Sequence, residues 1–333
     1  MKFEITGTLD TAITHFALVG LANILQEAGA HRVRLWWQDG AVARPTLQWE
    51  GPDAGEAVLA HARRHADPAC WLQARRPAPE DGHALFSPRL KPPTDDEGWF
   101  ELEELREHFL DAGLTRLDQR MIVNLGEPGY WVRQDGQPRP DHAASRWEMK
   151  TRNRGEEFIG QRLAPLAREV STWTAGKVLD GLGGRAVNDV VGKNKPDSRT
   201  PTGLSSPGPT DNALAWCSLW GISAFTLVPK SIGVSATAGA VPPARSYPRL
   251  LVVPVVADPI SPVLWTALAR SRELLSAFSD DPVRSVDARQ LLVRRGVIGA
   301  CSFPLDKSDN DSAPERTLLR GTLHSFQEDA DVW

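Results

Sequence analysis

The spacing of apolar positions changes several times along the chain, and each change marks an element. KFEITG alternates apolar and polar residues, which predicts a first strand. Asp10 stands where a helix cap belongs, and a helix is expected from there to about residue 28, ended by Gly29. Within it HFALVGLANIL is apolar nearly all round, the mark of a helix buried on more than one face. Gly20 in its middle costs roughly 1 kcal/mol against Ala, so a close contact is expected to justify it. HRVRLWW reads as a strand, Gln38-Asp39-Gly40 as a turn and PTLQW as the hairpin partner. AGEAVLAHARRHA follows as a second helix. Residues 75–98 are Pro-rich and irregular. Residues 99–110 make an acidic amphipathic helix with Trp99, Leu102, Leu105 and Phe109 on one face. MIVNLG and GYWVRQDG are short strands or pieces of loop.

Near residue 145 the pattern turns basic and helical. Ile159, Leu163, Leu166, Val170 and Trp173 are spaced 4, 3, 4 and 3 apart, one face of a helix. Pro165 interrupts that face and predicts a kink or a restart. A polar, turn-rich stretch at 181–209 comes next. Asp211 or Asn212 then caps an apolar helix, NALAWCSLWGISAF. YPRLLVVPVVA is a buried strand and residues 262–278 a helix. QLLVRRGVIGACSF and RTLLRGTLHSF close the chain as strands. The order is that of an α+β protein: an N-terminal β-α-β-β-α module, a helix-rich middle and a C-terminal α/β part. The expected division is residues 1–143, 144–210 and 211–333, the last two allowed to form one domain.

Composition adds three points. Twelve Trp stand against two Tyr, and Trp36, Trp37, Trp49, Trp216 and Trp220 fall in apolar runs, so these rings are predicted core. Cys70, Cys217 and Cys301 are far apart and lack any C-x-x-C spacing, which fits buried thiols in a reduced cytoplasmic protein. MKFEITGTLD has no apolar signal core, and no apolar run approaches the ~20 residues of a membrane span. No membrane partner is expected.

Charge changes the picture more. The net charge of −4 excludes a globally basic nucleic-acid binder, but the charge is unevenly spread. Residues 1–143 carry 15 Lys+Arg against 22 Asp+Glu, whereas 144–199 carry 11 against 7. Arg146, Lys150, Arg152 and Arg154 form one basic cluster; in an extended segment alternation puts the last three on one side. Lys193, Lys195 and Arg199 form a second, followed by the hydroxyls of Thr200, Thr202, Ser205 and Ser206. Arg offers a planar fork, Lys a point charge and the hydroxyls further donors, a set suited to phosphate oxygens. Internal pairing with Glu148, Glu156 and Glu157 is the alternative use of the same cations. No cofactor is expected.

Other motifs carry less. His61, His65 and Cys70 have metal-like spacing, but Arg63 and Arg64 intervene and a solvated helix face is the better expectation. GLGGR and GLSSPG match neither a phosphate loop nor a nucleophile elbow. The run Asp95, Asp96, Glu97, Glu101, Glu103 and Glu104 reads as a solvated acidic face rather than an acid/base pair.

HFALVGLANILQEAGAHRVRLWW with its hairpin resembles the opening module of large subunits in type I CRISPR effector complexes. SRTPTGL, DNALAWCSLWGISAF and VRRGVIGACSFPLDKSDNDSAPERTLLRG extend the resemblance to the compact large-subunit-like proteins of the type I-U (I-G) Cascade branch. The resemblance implies a non-catalytic subunit whose partners are guide RNA, target DNA and other Cascade proteins. It implies a place near the flanking motif, where protein reads the motif and base pairing reads the rest. It assigns no base-reading residue. Two other classes stay open at this point: a protein-only interaction module presenting 216–220 to partners, and a metal-dependent nuclease built on His61 and His65.

Overall fold

The computed structural model describes residues 1–38, 42–76, 83–111, 113–127, 132–150, 157–310 and 314–326. β1 (Lys2–Glu4) leads through Thr11, the N-cap residue, into α1 (Ala12–Glu27). Asp10 does not cap the helix; its carboxylate takes the Thr8 hydroxyl instead. Gly29, at φ +87°, ends the helix as its sequence predicts, with Ala30 N–H donating to Leu25 O. β2 (His31–Gln38) and β3 (Arg44–Glu50) form the expected hairpin, whose turn at 39–41 lies outside the described residues. β1 pairs with the other edge of β3, giving an antiparallel sheet in the order β1-β3-β2. α2 (Ala54–Ala66) begins on the carboxylate of Asp53, which accepts from Gly55 and Glu56 N–H.

α3 (Asp96–Asp111) carries the acidic run on an exposed face. Its inner face differs from the predicted one: Leu105 is exposed, and Arg106 is buried over the Phe86 ring and paired with Glu127. MIVNLG is helical, not extended. It lies in α4 (Arg116–Leu125), started by a capping box in which Thr115 and Asp118 satisfy each other's backbone N–H. β4 (Val132–Gln134) and β5 (Gln137–Arg139) make a small hairpin, followed by the single turn α5 (Pro140–Ala143).

The predicted face of Ile159, Leu163, Leu166, Val170 and Trp173 is buried throughout. At Pro165 the helix changes type without a break: a π-helical turn at Ile159–Leu163 runs directly into α6 (Ala164–Ser171), with Leu163 and Ala164 both helical, so the expected fresh start is instead a change of helical pitch. α7 (Ala175–Leu182) precedes the polar stretch. α8 (Asn212–Gly221) then starts on Asp211, whose carboxylate accepts from Ala213 N–H, and runs into a 3₁₀ turn, Ile222–Ala224.

β6 (Leu227–Val228) pairs with β7 (Ala236–Thr237), and β8 (Ala240–Val241) with β9 (Leu250–Val256). The expected helix over 262–278 is two, α9 (Pro262–Ala269) and α10 (Arg272–Ser276), because Ser271 caps a new start. QLLV belongs to α11 (Pro282–Val293), not to a strand. β10 (Val297–Lys307) is long enough to pair with β9 along one edge and with two strands along the other, β11 (Arg316–Leu318) and β12 (Thr322–Ser325).

α1 is the centre of this α+β fold. Every residue from Ala12 to Leu25 is buried, as the all-round apolar pattern requires. It crosses α8 at two glycines. A Cβ on Gly20 would stand 1.9 Å from Cys217 O, and one on Gly221 would stand 2.2 Å from Phe16 O. The two backbones touch there, which is the close contact that justifies Gly20. Leu35 of β2 exchanges backbone hydrogen bonds with Ile260, at 2.9 and 3.1 Å, joining the N-terminal sheet to the segment after β9. One apolar cluster runs from Ile5 to Phe326 and takes in Trp36, Trp37, Trp49, Trp216 and Trp220. Among the described residues no helix is long and apolar enough to cross a membrane.

Candidate nucleic-acid interface

The stretch at 183–210 is polar, yet it is ordered around one buried carboxylate. Asp189 is wholly buried and accepts from Gly192 N–H (2.9 Å), the Thr200 hydroxyl (2.7 Å), Asn212 Nδ2 (3.1 Å) and Thr210 N–H (3.3 Å). Its own N–H donates to Asn194 Oδ1. Gly208 N–H closes the turn onto Ser198 O at 2.8 Å. Turn residues that look unstructured in sequence thus supply the donors that a buried charge demands. Lys193, Asn194 and Thr202 hold positive φ, at 56°, 51° and 55°. That conformation is costly for a β-branched Thr, and the network around it enforces it.

Two backbone bonds fix where this loop lies. Ile13 N–H at the start of α1 donates to Leu204 O, and Leu318 N–H of β11 donates to Gly203 O. Residues 201–205 are therefore laid against β11 and against Met149 and Lys150. Between them opens a cleft of about 300 Å³ lined by Lys150, Arg162, Arg199 and Arg316, with one carboxylate, Glu315, and with Thr202 and Ser205 on its wall. Its four cations come from four separate stretches of chain.

Arg316 is the deepest of them. Its guanidinium donates to Glu148 O at 2.9 Å and borders a buried charge cluster. There Arg89 pairs with Asp141 at 2.8 Å and with Glu148, and Arg146 donates to Ala144 O, Asp141 O and Ser246 O. Burial works to raise the Asp141 carboxyl, but Arg89, Arg146 and Arg316 outweigh it and hold it well below the usual range. Burial lowers Arg89 to about 9 and Arg146 to about 10, against the pull of Asp141, so both stay cationic at neutral pH. A buried cation with these partners has a structural task.

The predicted contact residues divide accordingly. Lys150, Arg199, Thr202 and Ser205 meet in the cleft. Lys193 and Lys195 are exposed on the turn that precedes Arg199, outside the cleft lining. Arg152 and Arg154 lie outside the described residues, as does Glu156. Arg146 is a correction: it is fully buried, because its guanidinium is spent on backbone carbonyls of 141–144 and 246. Thr200 is likewise buried, its hydroxyl donated to Asp189, and Thr202 Oγ1 donates to Thr200 O. Of the suggested internal partners, Glu148 pairs with Arg89, and Glu157 accepts from Ala84 N–H. Arg162 and Arg316 were not among the sequence candidates. Arg162 carries a weak signal, lying off the apolar face of its helix, whereas Arg316 stands 166 positions from Lys150 and carries none.

The histidine pair also departs from expectation. His61 and His65 are not on a solvated face; they are buried with ring centroids 4.3 Å apart beneath Trp216 and Trp220. Trp216 Nε1–H donates to His61 Nδ1 (3.1 Å), so the His61 proton sits on Nε2, 3.3 Å from Glu27. His65 faces His61 O with Nδ1 (2.7 Å) and Asp118 with Nε2 (2.8 Å). Burial, then His65 and Arg64, hold His61 well below its ordinary range. Both rings are thus committed to internal partners, and no group of three or more His, Cys, Asp or Glu among the described residues could hold a metal ion. Trp216 and Trp220 face inward, which removes them as a docking surface. Burial pushes the Cys70 thiol up to about 11 and Cys301 to about 12, and raises Cys217 further, so none of the three is a thiolate at neutral pH. No family model matches the chain, and no curated protein matches it either.

Proposed function

We propose that this protein is a non-catalytic subunit of a type I CRISPR (Cascade) ribonucleoprotein, contacting guide RNA or target DNA through the cleft of Lys150, Arg162, Arg199 and Arg316. Nucleic-acid contact rests on one observation: Lys150, Arg162 and Arg199, backed by the buried Arg316, converge on one open cleft of an otherwise acidic protein. Phosphate contacts made this way position a strand without reading its sequence. Assignment to the CRISPR complex, near the flanking motif and alongside other Cascade subunits in the cytoplasm, rests on the resemblance of 15–37 and the C-terminal segments.

The test is charge reversal. Lys150→Glu with Arg199→Glu, in the assembled complex, is expected to weaken DNA binding at least about tenfold at moderate salt and to lower the salt dependence by about two counterions. Arg162→Glu is expected to act in the same direction. Unchanged affinity and salt dependence in both variants refutes the reading.

A further inference from the structure

Glu315 is the one carboxylate among the described residues that line the cleft. It forms an ion pair with Arg199, and both side chains are about half exposed. The carboxylate is not on a loose end. Glu315 N–H donates to Ser308 Oγ, and Ser308 N–H donates back to Glu315 O, both at 2.9 Å. The chain continues at once into Arg316, which is anchored in the core. The fold therefore delivers a negative charge to a fixed point in a cationic cleft.

We infer that Glu315 occupies the seat of a phosphate group, and that its displacement sets how tightly a nucleic-acid strand is held. The inference rests on the nucleic-acid reading of the cleft and adds its control. An exposed carboxylate–guanidinium pair contributes little net stability, so it yields readily to a competitor. A phosphate is the stronger competitor, since its oxygens can take charge-assisted bonds from more than one of Lys150, Arg162 and Arg199 at once. None of the described lining residues is aromatic, so base stacking takes no part and selection is by charge. The ligand class is the backbone of a strand of any sequence.

The experiment uses the full-length protein and fluorescent single-stranded DNA of about 16 nucleotides, mixed-sequence and all-thymidine, titrated by anisotropy across a salt series. Glu315→Gln is expected to tighten binding about 3- to 10-fold for both strands and to steepen the salt dependence by about one counterion, as one negative charge leaves the cleft. Glu315→Ala is expected to give the same gain. Glu50→Gln makes the same charge change on β3, where Glu50 pairs with Arg32 outside the cleft, and is expected to change nothing. Arg199→Gln added to Glu315→Gln is expected to cancel the gain. Wild-type binding without a gain in the Glu315 variants overturns the inference and leaves the cleft reading standing. An equal gain in Glu50→Gln, or a gain confined to the glutamine variant, also overturns it. Absence of binding by both wild type and Glu315→Gln at low salt removes the cleft reading itself. Thermal melting shows whether each variant is folded.

Discussion

Replacing Asp189 tests how the polar stretch before α8 is held. In the native protein the carboxylate is wholly buried and satisfies two backbone N–H groups, the Thr200 hydroxyl and the Asn212 amide. Asp189→Ala removes the acceptor and leaves those donors inside. Each buried donor without an acceptor costs about 1–3 kcal/mol, with water entering the vacated space offsetting part of it. Four such donors put the loss at about 3–5 kcal/mol, a large share of the ~5–15 kcal/mol by which a protein is normally stable. Asp189→Asn keeps one acceptor oxygen, turns an amide toward former donors, and is expected to lose about half as much. Urea unfolding at neutral pH reads both: the midpoint falls and the slope stays unchanged. Below the midpoint, strand affinity at the cleft is expected to fall as well, because Arg199 and Thr202 lie in the same loop. A loss under about 1 kcal/mol for Asp189→Ala refutes the idea that this carboxylate organises the loop.

Three further outcomes follow from the packing and charges. Gly20→Ala places a methyl against Cys217 O and is expected to cost about 2–3 kcal/mol in chemical unfolding; a cost near zero means that the α1–α8 crossing relaxes freely. His15, buried between Trp37 and Phe303, is lowered by burial to about 4, partly countered by its bond to Leu9 O. The unfolded chain therefore binds the extra proton first, and stability falls as pH drops from about 6.5 to about 4, by up to roughly 3 kcal/mol. His15→Gln is expected to flatten that part of the stability–pH curve, and an unchanged curve refutes the assignment. Arg146→Lys cannot reproduce the fork that serves three carbonyls; it is expected to cost about 2–4 kcal/mol while leaving the salt dependence of strand binding intact, which a paired measurement of melting and binding checks.

Local patterns carried the fold class well. The all-round apolar run of 15–25, the hairpin of β2 and β3 and the Asp211 cap each encode their structure within a few residues. MIVNLG misled because its short apolar run suits a strand or a helix equally; the deciding signal, T-R-L-D, lay just upstream in the capping box. QLLV misled for the same reason, since its helix is set by Asp281 and Pro282 eight residues earlier. The candidate site was half legible. Lys150 and Arg199 follow from local charge, but whether a cation faces water or the core is decided by partners far away in sequence. Arg146 is buried by carbonyls up to 100 positions distant. Arg316 joins the cleft only because β11 pairs with β10 and receives the loop at Gly203.

The placement of α1 has a consequence for biosynthesis. Its chief neighbour, α8, is encoded roughly two hundred codons later, and Ile260, which clasps β2, comes later still. At about 5–20 residues per second, tens of seconds separate the emergence of the first helix from that of its cover. During that interval the side of α1 that α8 later covers stays open to solvent, while β2, β3 and α2 can already pack on the rest. A transcript cut short before codon 211 would release a product whose first helix keeps β2, β3 and α2 as neighbours but lacks α8.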